Sequence, residues 1–154
     1  MKTFLDSSVL IEYIRGKKTE FLEYLISKPG IELYINPIVC SEFIFHYLSL
    51  MSGRSPLTLK NSRKIKEILK KKKPIELIKQ FGLLDINMEI VEIGYRMMEK
   101  YNLLPNDGFV LATCCFYKID SLSSFDKDFR IPCEHENLIL FTSINEIKKH
   151  EGNF

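Results

Sequence analysis

Short apolar runs alternate with helix-forming segments along the chain, and this alternation constrains the fold more than any other feature. Each run has the length and composition of a buried strand. The five runs are Thr3–Leu5, Ile31–Ile35, Leu83–Ile86, Ser121–Phe125 and Leu138–Phe141. Because helical patterns separate them, the strands can pair in parallel while helices cover both faces of the sheet. The sequence therefore predicts an α/β fold with a mainly parallel central sheet.

Capping residues and helix breakers predict where the helices lie. Ser7 and Ser8 offer an N-cap to a first helix that ends near Gly16, and Asn36-Pro37 begins a longer helix. Further helices are expected at about 19–27, 88–101, 105–116 and 144–150, with one or two more in 56–79.

The length of 154 residues matches one domain of typical size. We expect a single domain over residues 1–150, followed by a short tail, 151–154. An apolar content of 45% with 27% charged residues excludes a disordered chain. No apolar run approaches the roughly 18–20 residues of a transmembrane helix. An acid at position 6 interrupts any signal peptide, so we expect a cytoplasmic protein without a membrane partner.

Positive charge is concentrated in one part of the chain. The net charge is only +2, yet the segment from Arg54 to Lys79 carries ten Lys and Arg residues and two Glu residues. This basic helical segment, about 54–79, is inserted within the predicted domain. It indicates either a polyanionic partner such as nucleic acid or a solvated helical face.

Four acids stand where an open parallel sheet places its functional groups. Ligands of such sheets bind outside the carboxyl ends of the strands. Asp6 and Asp126 directly follow predicted strands, and Glu42 and Asp107 lie in or near first helical turns. Three of them have a structural explanation when taken singly: Asp6 as a helix cap, Asp107 beside a helix dipole and Asp126 in a turn.

Taken together, the four acids predict a metal site. Carboxylates in one pocket repel each other unless a cation joins them, and Mg²⁺ or Mn²⁺ is the usual partner of oxygen ligands. Such ions activate water and stabilise the leaving oxygen of a phosphodiester. The basic segment would then hold a nucleic-acid backbone. These observations point to a metal-dependent nuclease.

Four segments, taken in order, resemble the motifs of the PIN domain family. Each contains one of the four acids in a similar setting of apolar and small polar residues. The segments are FLDSSVLI (4–11), INPIVCSEF (35–43), LPNDGFVLA (104–112) and LSSFDKDF (122–129). The resemblance extends from Phe4 to about Ile147 and implies a three-layer α/β/α PIN-like fold. Size and layout are most similar to the VapC toxins of toxin–antitoxin pairs.

The resemblance implies an Mg²⁺- or Mn²⁺-dependent endoribonuclease that forms a homodimer and binds a small antitoxin. Asp6, Glu42, Asp107 and Asp126 would be both the metal ligands and the catalytic residues. Ser124 stands at a usual Thr/Ser position of the family. Asp128 could be an accessory ligand or could cap the short helix near Phe129. We expect the phosphates of the RNA to contact basic residues, which are Lys60, Arg63, Lys64, Lys70, Lys71, Lys72 and Lys73.

Gly108 departs from the pattern, because the family usually has Ala there. Glycine weakens a helix start, so we expect a looser Asp107. Lys127 and Arg130, beside the fourth motif, could contact RNA or could only be solvated.

Three other functions stay open. One is a PIN nuclease of RNA processing or decay without an antitoxin. Another is a non-catalytic nucleic-acid- or protein-binding α/β module. A phosphorylated signalling domain is disfavoured, because Ser7 and Ser8 follow Asp6 where a second acid would be needed.

Overall fold

The computed structural model describes residues 1–71 and 73–151, and it has a five-stranded sheet. The spatial order of the strands is β3-β2-β1-β4-β5, and every neighbouring pair is parallel. The strands are β1 (Lys2–Leu5), β2 (Glu32–Ile35), β3 (Gly82–Leu83), β4 (Ser121–Ser123) and β5 (Ile139–Phe141). The predicted parallel α/β architecture is therefore confirmed.

Helices connect the strands and follow the last one. They are α1 (Ser7–Ile14), α2 (Thr19–Ser27), α3 (Pro37–Ser52), α4 (Pro56–Asn61), α5 (Ile65–Lys71), α6 (Ile75–Ile78), α7 (Met88–Tyr101), α8 (Pro105–Phe116), α9 (Arg130–His135) and α10 (Ile144–Glu151). A 3₁₀ helix, Lys127–Phe129, precedes α9. In the described part of the chain, no helix is long and apolar enough to span a membrane.

The core lies on both sides of the sheet. Phe4 and Leu5 are consecutive on the central strand β1, so their side chains point to opposite faces, and both are fully buried. Both faces of the sheet are therefore covered, as a three-layer α/β/α fold requires. On β4, the pairing partner Leu122 is buried as well.

Two predicted boundaries were wrong. The third strand is Gly82–Leu83 rather than Leu83–Ile86. Tyr34 of β2 lies against Gly82, where a Cβ would come within 2.6 Å of the ring, so a larger residue there would require the ring to shift. The basic segment forms three helices rather than one or two, because Arg63 adopts a left-handed φ of 56° after α4 and Pro74 begins a new turn before α6.

Gly108 has a packing role that the sequence analysis did not predict. Gly108 is buried against α7, and a Cβ there would lie 3.0 Å from the carbonyl oxygen of Gly94 and 2.7 Å from Cγ of Met98. Gly94 in turn faces the ring of Phe109. The two glycines thus let α7 and α8 pack closely, and this packing supports the helical turn that carries Asp107.

Candidate metal centre

Asp6 lies between β1 and α1 and is held by three hydrogen bonds to one carboxylate oxygen. Its Oδ2 accepts from the backbone N–H of Ser8 (3.2 Å), from the Ser8 hydroxyl (2.5 Å) and from the Ser124 hydroxyl (2.8 Å). Asp6, and not Ser7 or Ser8, is thus the N-cap of α1, because β1 ends at Leu5 and the helix begins one residue later. The side chain is almost buried, at 5% exposure.

Ser124 connects Asp6 to Asp126. This fully buried serine donates to Asp6 and accepts a hydrogen bond of 3.0 Å from the backbone N–H of Asp126. Asp126 Oδ1 in turn accepts from the backbone N–H of Asp128 (2.9 Å) and caps the 3₁₀ helix. The capping role considered for Asp128 therefore belongs to Asp126, and Asp128 is exposed.

Glu42 and Asp107 come from α3 and α8, which pack against each other. The buried amide of Asn36, which caps α3, donates to the Thr113 hydroxyl of α8 at 3.0 Å. Near the start of α8, Asn106 Nδ2 donates to Glu42 Oε1 at 2.5 Å. These contacts hold the second and third motifs beside each other.

The electrostatics of Asp107 link it to the other three acids. Its pKa is raised to about 7, first by burial and then by the negative charges of Asp126, Asp6, Glu42 and Asp128. Burial also raises the pKa of Asp6, against the opposing effect of its hydrogen bonds from Ser8 and Ser124. The structure therefore brings all four predicted acids together, with Asp128 close to them.

The chemistry of this donor set fits a hard divalent cation. All four groups are carboxylates, and none forms a salt bridge with Lys or Arg within the described residues. A cation would remove the repulsion that raises the pKa of Asp107. Across residues 1–71 and 73–151, no three His, Cys, Asp or Glu side chains already lie close enough together to hold an ion. The acids thus surround a common space without standing at coordination distance.

The basic segment follows the end of α3, the helix that carries Glu42. Glu42 lies near the start of α3, and the segment begins beyond the end of this helix, about 15 Å further along its axis. Lys64 pairs with Glu67 at 3.2 Å. Lys60, Arg63, Lys70, Lys71 and Lys73 are exposed on or beside α4 and α5, and Lys72 lies outside the described residues.

Two polar residues of this site were missed in the sequence analysis. Ser8 bonds both Asp6 and the backbone N–H of Phe125, and Asn106 bonds Glu42. Each stands within two residues of a predicted acid, and a small polar residue beside a turn or cap is the signal that could have indicated them. Their partners lie far away in sequence, which local patterns do not reveal.

The fold and the acids define a class: a parallel α/β protein with acidic residues at the carboxyl edge of its sheet. The family model of the PIN domain matches residues 3–134. The chain belongs to the PIN domain family.

Individual relatives agree with this assignment. The chain is 38% identical over 130 residues to "Ribonuclease VapC2" of Methanocaldococcus jannaschii, covering 84% of this chain and 87% of the relative. Its fold is similar to that of FitAcB from Neisseria gonorrhoeae, with a TM-score of 0.65 and 17% identity, over 91% of this chain and 96% of the other. It is also similar to a toxin–antitoxin complex from Klebsiella pneumoniae, with a TM-score of 0.55 and 19% identity, over 83% and 90% of the two chains.

Proposed function

We propose that this protein is a divalent-metal-dependent endoribonuclease and the toxin of a toxin–antitoxin pair. The proposal is supported chiefly by the electrostatic coupling of Asp107 to Asp6, Glu42 and Asp126, none of which forms a salt bridge within the described residues. The relative with 38% identity is named a ribonuclease, which supports RNA as the substrate.

In this proposal, Asp6, Glu42, Asp107 and Asp126 hold the Mg²⁺ or Mn²⁺ ion. When bound, the ion supplies the activation of water and the stabilisation of the leaving oxygen. The hydroxyls of Ser8 and Ser124 donate to Asp6, which orients its carboxylate and opposes the rise in its pKa that burial causes.

Other residues keep the remaining acids in position. Asn106 fixes Glu42 through its side-chain amide. Asp126 is fixed at both ends, because Ser124 accepts from its backbone N–H and the N–H of Asp128 donates to its carboxylate. Outer hydrogen bonds of this kind orient metal ligands in proteins.

A small antitoxin is the proposed protein partner, supported by the similarity to a toxin–antitoxin complex. It would be encoded in a short reading frame beside the gene. Co-expression of both frames, followed by purification of the pair and an RNA cleavage assay, tests this partner. We expect a stable complex in which cleavage is inhibited. A neighbourhood without such a frame would favour an RNA-processing nuclease that has no antitoxin.

A second copy of the chain is the other proposed partner. Met88, Val91 and Tyr95 lie on one side of α7, and all three are exposed large apolar side chains. Light scattering after size exclusion is expected to give a dimer for the wild type and a monomer for Tyr95→Glu. A monomeric wild type would contradict the proposal.

An RNA cleavage assay tests the catalytic proposal. Purified protein would be incubated with labelled RNA in EDTA, and again after addition of Mg²⁺ or Mn²⁺. We expect no cleavage in EDTA, cleavage after metal addition, and no cleavage by an Asp6→Asn variant that still folds. Glu99→Gln, which neutralises an exposed carboxylate on α7, is the matched control and should cleave normally.

A further inference from the structure

A groove of about 520 Å³ opens beside the carboxylates. Ser8 and Asp126 form the part of its wall that belongs to the acid site. The rest of the wall includes three cationic side chains, which are Arg15, Lys18 and Lys127. We call this cavity the Lys18 groove. It places positive charge next to Asp126, one of the four acids.

The cation of Lys18 is held in place by an aromatic ring. Its Nζ lies 3.9 Å from the centroid of the Phe125 ring, which is within the range of a cation–π interaction. Phe125 packs in turn on the buried ring of Phe21, with 5.2 Å between centroids. An ammonium over a ring keeps N–H donors for a further partner, so Lys18 is positioned without being neutralised.

The backbone fixes the same residue. Lys18 adopts a left-handed φ of 50° at the N-cap of α2, a conformation that residues other than Gly and Asn rarely take. The N–H of Phe125 donates to the Ser8 hydroxyl, which donates to Asp6. The position of the Lys18 cation is thus linked to the carboxylates through Phe125 and Ser8.

The charges of the groove leave two cations for a ligand. Arg15 pairs with Glu12, another wall residue, at 2.9 Å. Within the described part of the chain, neither Lys18 nor Lys127 forms a salt bridge with an acid. A phosphate chain beside the acids would be repelled by their negative charge. Flanking cations lower this repulsion.

We propose that the Lys18 groove binds the sugar–phosphate backbone of the RNA strand next to the cleaved bond, with Lys18 and Lys127 contacting phosphates. This inference rests on the proposed ribonuclease function. The proposed phosphate contacts are thus Lys18, in the loop between α1 and α2, and Lys127, which follows Asp126. They differ from the contacts that the sequence analysis expected in the basic segment.

Salt-dependent binding tests the groove without requiring cleavage. Binding of a fluorescent oligouridylate would be measured in EDTA at several NaCl concentrations. Lys18→Asn removes the charge but keeps a residue that tolerates the left-handed conformation, and Lys127→Gln removes the second cation. Each is expected to reduce the slope of log K against log salt by about 0.7, the value for one phosphate contact on a single strand. In Mn²⁺, each should raise KM more than it lowers kcat.

Three further variants complete the comparison. Lys2→Gln removes an exposed cation at the N-terminal end of β1, opposite the edge that carries the acids, and should change nothing. Phe125→Leu keeps an apolar side chain but removes the ring under Lys18, so it should weaken binding without changing the number of charges. The double variant Lys70→Gln/Lys71→Gln represents the basic segment. Melting temperatures would verify that each variant folds.

The outcomes separate this inference from the function on which it rests. Unchanged slopes for Lys18→Asn and Lys127→Gln, or a loss confined to Lys70→Gln/Lys71→Gln, would overturn the groove even if cleavage requires metal. Reduced slopes in both groove variants, with a wild type that cleaves no RNA in any metal, would support RNA binding by the Lys18 groove. The same result would overturn the proposed ribonuclease function.

Discussion

At the scale of single residues, Ser124 joins two acids, Asp6 and Asp126, that are far apart in sequence. It donates to Asp6, 118 positions away, and accepts from the N–H of Asp126. Ser124→Ala would leave the buried Asp6 with one donor fewer and the N–H of Asp126 without its acceptor. We expect a loss of about 1–3 kcal/mol in the free energy of unfolding. Metal affinity or activity should fall by about 10–100-fold.

Urea unfolding, metal titration and cleavage assays would measure these effects. Ser41→Ala, an exposed serine on α3, is the control, and it should stay within about 0.5 kcal/mol of the wild type. Equal stability and equal activity of Ser124→Ala and Ser41→Ala would contradict the role given to Ser124.

The raised pKa of Asp107 predicts that the metal-free protein becomes less stable as pH rises from about 4 to about 7. Its pKa is raised from 3.8 to about 7, so the folded state binds this proton more tightly than the unfolded state. The contribution of Asp107 to stability therefore decreases as pH rises from about 4 and is fully lost above about 7. Asp107→Asn removes the charge, so it should stabilise the protein at pH 8 and have almost no effect at pH 4.

Urea unfolding in EDTA at both pH values would measure this difference. Asp85→Asn, at an exposed position, should change little at either pH. Saturating Mn²⁺ should make the wild type more stable than Asp107→Asn at pH 8, because only the wild type has the carboxylate at position 107 that would bind the ion. An Asp107→Asn variant that is less stable than the wild type at pH 8 in EDTA would argue against carboxylate repulsion.

At the scale of elements, the close packing of α7 and α8 depends on glycine. A Cβ at Gly94 would come within 2.4 Å of the Phe109 ring, so the ring or the helix that carries it would have to shift. Gly94→Ala is therefore expected to destabilise the protein by about 1–3 kcal/mol, although alanine favours helices. Glu92→Ala, an exposed position of the same helix, is the control. Thermal unfolding that ranks the Gly94 variant as the more stable of the two would contradict this packing.

Local sequence patterns predict most of the helices and strands. The strands and most helices follow from apolar runs and caps, because these signals lie within each element. The shift of β3 to Gly82 could not be predicted, since it depends on Tyr34 of a neighbouring strand. The close fit at Gly108 depends on Gly94, a residue of the preceding helix.

The acids themselves were predictable because each follows a strand or begins a helix, and the family motifs include them. Ser8 and Asn106 were not, since each bonds a partner more than 60 positions away: Phe125 for Ser8 and Glu42 for Asn106. The Lys18 groove was missed for a similar reason. Its cations are spread over two segments and do not form a run, whereas the basic segment is obvious in sequence.

At the scale of the whole molecule, the strand order creates the site. β1 and β4 are neighbours although more than 110 residues separate them, and Asp6 and Asp126 follow these two strands. α3 and α8 add Glu42 and Asp107 from the same edge of the sheet. Since the four carboxylates come together only in the folded chain, any ion that they bind would stabilise the folded state.

A titration of cleavage rate against free Mn²⁺, for the wild type and Asp126→Asn, tests the central claim most directly. The account predicts no cleavage in EDTA and a rate that rises with Mn²⁺ and saturates. It also predicts a reduction of at least about 100-fold in the variant, more than the loss of an outer hydrogen-bond partner would cause. Cleavage that persists in EDTA, or that is equal in the two proteins at every Mn²⁺ concentration, would contradict the claim that these carboxylates form a metal-dependent ribonuclease site.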